Sequence, residues 1–395
     1  VAAVRRFRRF VVVVLDGVGI GALPDAARYG DEGSDSLGNV IRRRGRLDVP
    51  TLMGLGLCRL VARPEGERTA VVGAYGRMTT AGAGKDTTAG HWELAGVVLK
   101  RPFPLFPRGF PPAAVAALER ATGRGMLGNR AASGTRIIAE LGAEHLATGA
   151  LILYTSADSV CQLAAHVAVV PPAELYRMGA AARQVMTGAW GVGRVIVRPF
   201  EGEPGGFRRL NEARRDFSLP PPAPTLLDRL LGSGYEVRGL GKVEGTFAGR
   251  GFTRCEPTRD NDDGARKLVA ALSDKFTGLL MINLNDTDTV YGHRNDVEGY
   301  ARALEGVDAA LPAILAALNA EDLLLIVSDH GNDPTTPGTD HSREYTPLLV
   351  YHRRLRREIP LGTRATMADV AQTAAANFGL PSFGAGTSFL DVVAA

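Results

Sequence analysis

LLLIVSDHGNDPTTPGTDH, residues 323–341, opens on consecutive apolar side chains and turns abruptly into acids, imidazoles, Gly and Pro. A short apolar run of this kind reads as a buried parallel strand. Its first polar residues, Asp329 and His330, then emerge at the carboxyl end, where open α/β sheets bind ligands. The same grammar appears at FVVVVLDG, 10–17, which delivers Asp16, and at LLMINLNDTD, 279–288, which delivers Asp288. Between LLMINLNDTD and LLLIV, VEGYARALEGVDAALPAILAALNA, 297–320, has helical apolar spacing, so a strand, helix, strand unit is predicted. The fold class that follows is α/β, with a mostly parallel sheet flanked by helices.

From residue 100 to 217 the texture changes. KRPFPLFPRGFPPA, 100–113, and RPFEGEPGGFRRLNEARRDFSLPPPAP, 198–224, are rich in Pro, Gly and Arg. They bracket a strand reading (ALILYTSADSV, 150–160), a helix reading (PAELYRMGAAARQVMT, 172–187) and a second strand (GVGRVIVRPF, 191–200). Irregular flanks around a self-contained α/β block predict an inserted domain over 100–217, leaving a discontinuous core of 1–99 and 218–395.

At 395 residues the chain is long enough for about two domains. Net charge is +4 and Arg dominates Lys, without blocks of like charge or interleaved aromatics. That pattern argues against a nucleic-acid surface and for an anion-binding cleft, with phosphate-bearing small molecules as the expected partners. No protein partner is predicted. Cys58, Cys161 and Cys255 lie far apart and form no metal or disulfide spacing, so a reducing cytoplasm is expected. VAAVRRFRRFVVVVLDGVG, 1–19, has Arg pairs ahead of an apolar run, but that run is short and meets Asp16. No apolar stretch reaches the roughly 20 residues needed to span a bilayer, so no membrane association is expected.

Taken together, Asp16, Asp288, His293, Asp329, His330 and His341 supply three carboxylates and three imidazoles, enough for two metal ions. Mixed oxygen and nitrogen donors suit Mn²⁺ or Zn²⁺ better than Mg²⁺ or Ca²⁺, and paired metals can clamp both the attacking and leaving oxygens of a phosphoryl transfer. Singly each residue has a plainer reading: Asp16 as a helix cap, His293 as a core histidine, the 328–341 segment as a solvated turn. GKDTTAGHWE, 84–93, adds Lys85 and two hydroxyls, Thr87 and Thr88, that a metal could activate as nucleophiles. Asp and Thr there are also good helix caps, and a helix N-terminus stabilises phosphate in turn. Elsewhere YTSADSV offers Ser156, Asp158 and Ser159, GRVIVRPF offers Arg194 and Arg198, and GLGKVEG offers Lys242.

LDGVGIGALPDA (15–26), GKDTTAGHWE (84–93), NRAASGTRIIAELG (129–142), YTSADSVCQLAAH (154–166), VGRVIVRPFEGEPGGF (192–207), DTVYGHRND (288–296) and SDHGNDPTTPGTDHSREYTPLLVY (328–351), in that order, closely resemble the phosphopentomutase family. That family lies in the alkaline phosphatase superfamily, so the resemblance implies an alkaline-phosphatase-like metal-binding core interrupted by a cap. It implies interconversion of α-D-ribose 1-phosphate and D-ribose 5-phosphate, and of their 2-deoxy counterparts. Two Mn²⁺ ions are implied, one on Asp16, Asp329 and His330, the other on Asp288, His293 and His341. Thr87 matches the phosphorylated threonine. Ser156, Asp158, Val160 and Arg194 match cap positions near the sugar phosphate, and Lys242 matches a core position beside it. Glucose 1,6-bisphosphate or ribose 1,5-bisphosphate is implied as activator. Asp333 and Asp340 are expected to shape the loop. Ala89 stands where the family often has threonine, which removes neither nucleophile nor ligand. The alternatives are a phosphoglycerate mutase or phosphatase of the same superfamily, and a non-catalytic sugar-phosphate-binding protein.

Overall fold

The computed structural model describes residues 6–62, 69–156 and 159–394. The chain divides into two compact units, Val1–Arg101 with Pro221–Ala395, and Pro102–Pro220. The breaks fall in the Pro-rich flanks, after residues 101 and 220.

In the discontinuous unit an eight-stranded sheet runs in the order Arg254–Glu256, Glu236–Leu240, Gly278–Leu284, Arg9–Leu15, Asp322–Val327, Thr346–Tyr351, Gly73–Met78, Glu358–Arg364. Every neighbouring pair is parallel except the two made by Thr346–Tyr351, which runs against both its neighbours. Strand Arg9–Leu15 is buried along its whole length, as a strand covered on both faces must be. On one face Val11, Val13 and Leu15 pack with Leu268, Leu304, Val307 and Leu311 of the helices Asn261–Ser273 and Val297–Ala317. Each such Leu buried contributes about 1.5–3 kcal/mol. On the other face Phe10 packs against Phe378 of helix Asp369–Phe378 with its ring tilted, ring centroids 5.7 Å apart.

The helix predicted over 297–320 forms as Val297–Ala317 and runs through Pro312. One turn earlier, Asp308 is buried, and its carboxylate accepts the amides of Thr51 and Leu52 (3.1 and 2.6 Å), tying the short helix Pro50–Leu55 to this one.

Register decides where the acids stand. Leu15 is level with Leu284, and Val14 with Val327, so the three central strands end together. Asp16, Asp288 and Asp329 therefore leave the sheet at one edge. At the opposite edge Arg9 faces Asp322 in a buried bidentate pair, Nε to Oδ1 at 2.7 Å and Nη2 to Oδ2 at 2.5 Å.

The inserted unit has its own sheet, Met126–Ala131, Leu151–Thr155, Val160–His166, Arg194–Glu201, Arg208–Arg209, with Arg215–Ser218 also paired to Arg194–Glu201. Helices Pro112–Thr122 and Pro172–Val185 cover one face through Leu118 and Leu175; helix Gly134–Thr148 covers the other through Ile137 and Ile138. The stretch 150–160, expected as one strand, belongs to two: Leu151–Thr155 and Val160–His166, which pair antiparallel.

Candidate metal centre and nucleophile

Asp16 follows its strand directly and Asp329 follows its own after Ser328, while Asp288 sits in a single π-helical turn, Thr287–Tyr291, a widened turn frequent at functional sites. Ligand atoms of Asp288, His293 and His341 lie within 4.8 Å of one another, and so do those of Asp16, Asp288 and His330. Asp288 belongs to both groups. Asp329 joins through Oδ2, 3.4 Å from His330 Nε2.

Two of the three imidazoles, His330 and His293, are aimed by their other nitrogen. His330 Nδ1 donates to the Gly331 carbonyl at 3.1 Å, which turns Nε2 toward Asp16 Oδ1 at 3.3 Å. His293 Nδ1 donates to the Thr339 carbonyl at 2.7 Å, turning its Nε2 toward Asp288 Oδ2 at 3.4 Å. This is how proteins fix the tautomer of metal-binding histidines. Asn332 Nδ2 donates to Asp288 Oδ1 at 2.8 Å, and the Thr287 hydroxyl to the Asp16 carbonyl at 2.6 Å.

The electrostatics are those of a site built for cations. Both carboxylate oxygens of Asp16, Asp329 Oδ2 and His341 Nε2 are buried with no hydrogen-bond partner among the described residues. Buried acceptors in that condition are costly unless something positive meets them. Burial would raise the Asp16 carboxyl, but Lys242, with Nζ 3.5 Å from Oδ2, and His330 bring it down to about 2. Burial acts the same way on Asp288, yet His341 and His293 hold it well below the usual carboxylate range. Burial opposes charge on His330, and Asp329 with Asp16 overcomes it, pushing the imidazole up to about 10. The donor set fits two divalent ions by chemistry: mixed oxygen and nitrogen, ionised, desolvated and unsatisfied.

Thr87 is the first residue of helix Thr87–Leu94, whose N-cap Asp86 accepts the Ala89 amide at 3.1 Å. Its Oγ1 lies 3.1 Å from His330 Nε2. Thr88 is buried beside it. Lys85 is held by Asp31 at 3.0 Å. Buried Arg343 fixes the preceding turn by donating to the carbonyls of Thr80, Gly82 and Gly84.

In the inserted unit, Val160 and Arg194 are register neighbours on adjacent strands, Ser156 is half-buried, and Asp158 lies outside the described residues. Arg194 Nη1 is 3.4 Å from Asp216 Oδ2. Asp333 is buried and accepts the amides of Asp35 and Thr335, while Asp340 stands at the surface near Lys85. Sequence reasoning passed over His91, Asn283, Asn332, Arg343 and Glu344. Only His91, four residues after Thr87 on one helix, carried a signal in its spacing.

The family model for the Metalloenzyme superfamily matches residues 235–382. A phosphopentomutase from Carboxydothermus hydrogenoformans is 53% identical over 384 residues, covering 97% of this chain and 98% of the relative. The chain belongs to the phosphopentomutase family. Another phosphopentomutase, from Thermotoga maritima, is 50% identical over 98% of this chain and 99% of its own. Among solved structures, a phosphoglycerate mutase from Leishmania mexicana aligns with a TM-score of 0.48 at 14% identity, over 96% of both chains. Family membership makes the protein an isomerase, a metal-dependent intramolecular phosphotransferase. Among the described residues no helix is long and apolar enough to cross a membrane.

Proposed function

We propose that the protein interconverts α-D-ribose 1-phosphate and D-ribose 5-phosphate, and the 2-deoxy equivalents, with Thr87 as the phosphoryl carrier. The observation that carries this is the placement of Thr87 Oγ1 at a helix N-terminus, 3.1 Å from His330, beside three buried carboxylates. Asp16, Asp329 and His330 would hold one ion, and Asp288, His293 and His341 the other; the donor set accepts Mn²⁺ among several divalent ions, and the family resemblance favours Mn²⁺. When bound, the metals neutralise charge on the transferring group and on the oxygens it moves between.

Thr87 Oγ gives its phosphoryl group to the sugar 5-hydroxyl, whose proton leaves to solvent. The resulting 1,5-bisphosphate turns round, and its 1-phosphoryl group passes to the Thr87 oxygen while the released anomeric oxygen takes up a proton from solvent, leaving ribose 5-phosphate. First-turn amides of helix Thr87–Leu94 stabilise the phosphoryl charge. By resemblance, Ser156, Asp158, Val160 and Arg194 of the inserted unit are sugar-phosphate positions, as is Lys242 of the discontinuous unit, with Arg suited to planar, two-point recognition of phosphate oxygens. Loss of the bisphosphate leaves Thr87 unphosphorylated, so glucose 1,6-bisphosphate or ribose 1,5-bisphosphate is required to prime the enzyme. A reducing cytoplasm suits the three free cysteines.

The test is peptide mass spectrometry after incubation with Mn²⁺ and glucose 1,6-bisphosphate. One added phosphoryl group on Thr87 is expected; a phosphoryl group on Thr88, or none, would overturn the assignment.

A further inference from the structure

His91 is fully buried one turn after Thr87, and none of the roles above uses it. Its Nδ1 lies 2.9 Å from the Thr87 carbonyl oxygen and 3.1 Å from Asp329 Oδ2, the latter off the hydrogen-bond axis. Both neighbours are acceptors, so Nδ1 carries the hydrogen. The remaining nitrogen, Nε2, meets the side-chain amide of Asn283 at 3.2 Å. Asn283 is a buried polar residue inside the otherwise apolar strand Gly278–Leu284. Phe247 closes the ring's surroundings, with centroids 6.4 Å apart.

We propose that His91 is a positioning residue: its N–H, bonded to the Thr87 carbonyl and in electrostatic contact with the Asp329 carboxylate at 3.1 Å, fixes the distance between the helix that carries the nucleophile and an acid of the metal centre. Asn283 holds the ring in the tautomer that does this. The inference rests on the reading of Asp329 as a metal ligand. A buried polar chain of Asn283, His91 and Asp329 is otherwise an expensive way to fill a core, and partners of this kind are worth about 10–100-fold in metal affinity elsewhere.

The experiment titrates metal-free protein with Mn²⁺ alone, by calorimetry, for wild type, His91→Phe and His91→Asn, with circular dichroism to confirm folding. Phenylalanine fills the volume without an N–H; asparagine puts an N–H near the place of Nδ1. His91→Phe is expected to weaken one of two Mn²⁺ sites about 10–100-fold and to spare the other. His91→Asn is expected to lie much nearer wild type at that site, and kcat is expected to fall more than KM rises in His91→Phe. Wild-type binding in His91→Phe, or equal weakening in both variants, overturns the proposal. Should His91→Phe not fold, Asn283→Leu replaces it; weakening of one site supports the proposal and unchanged binding overturns it. Wild-type protein that binds two Mn²⁺ but fails to interconvert pentose phosphates removes the reaction proposed above and leaves the His91 comparison readable.

Discussion

A Cβ added at Gly90 would stand 2.2 Å from the carbonyl oxygen of Asp329. The helix that starts at Thr87 can approach the end of strand Asp322–Val327 this closely only because residue 90 has no side chain. Gly90→Ala must therefore push the helix off the metal edge. The expected cost is about 1–3 kcal/mol in denaturant unfolding, together with a loss of turnover out of proportion to it. Turnover that survived intact would show that the close approach is only packing.

Thr87→Ala should abolish turnover while still binding two metal ions, because the hydroxyl is not needed to hold either of them. Thr88→Ala keeps the hydroxyl that faces His330 and should retain most activity. Calorimetric metal titration and a steady-state assay on both variants check this, and a reversal of the two outcomes would place the nucleophile one residue on.

In metal-free protein the imidazole of His330 is pushed up to about 10 by Asp329 and Asp16 against its burial. At pH 8 it is therefore protonated. A metal that takes Nε2 must displace that proton, since only the neutral ring is a ligand. Mn²⁺ titrations in two buffers of different ionisation enthalpy should show close to one proton released at pH 8; none released would mean that His330 is not a ligand.

Glu344 is buried against Ser36, Ser342 and Gly21, and burial raises its carboxyl to about 7 although those partners favour the anion. Its unfolded value lies near 4.5. A raised acid is protonated more readily in the folded state, so its stabilising contribution is fully present below pH 4.5 and is lost as pH rises through 7. Glu344→Gln lacks this titration. The variant should gain on wild type between pH 5 and pH 8, by on the order of 3 kcal/mol, in urea midpoints measured across that range. Parallel curves would contradict it.

At the far edge of the sheet, Arg9→Met leaves Asp322 buried and unpaired, at a cost of about 3–5 kcal/mol. Restoring an apolar partner with Asp322→Leu should recover much of that. Because the pair lies at the opposite strand ends from Asp16, kcat at a temperature well below unfolding should stay unchanged in both variants.

Much of this architecture was legible because buried parallel strands are written as apolar runs. FVVVVL, LLMINL and LLLIV announced three adjacent strands, and their acids announced one edge of a sheet. What pattern could not show is contact between distant segments. Asn283 passed as an interior strand residue, yet its amide meets a ring 192 positions away. Glu344, in SREYTP, read as an ordinary acid; only folding brings Ser36 to it across 308 positions. The break between Thr155 and Val160 was missed for a local reason. The apolar texture resumes after four small or polar residues, so a hairpin looked like one strand.

The central claim is phosphoryl movement between two positions of one pentose, carried by Thr87 and two metals. ³¹P NMR of the purified protein with Mn²⁺, catalytic glucose 1,6-bisphosphate and ribose 5-phosphate tests it most directly. Growth of the ribose 1-phosphate resonance to a stable equilibrium, abolished by Thr87→Ala, is the predicted result. Inorganic phosphate as the main product, or no new resonance at all, would contradict it.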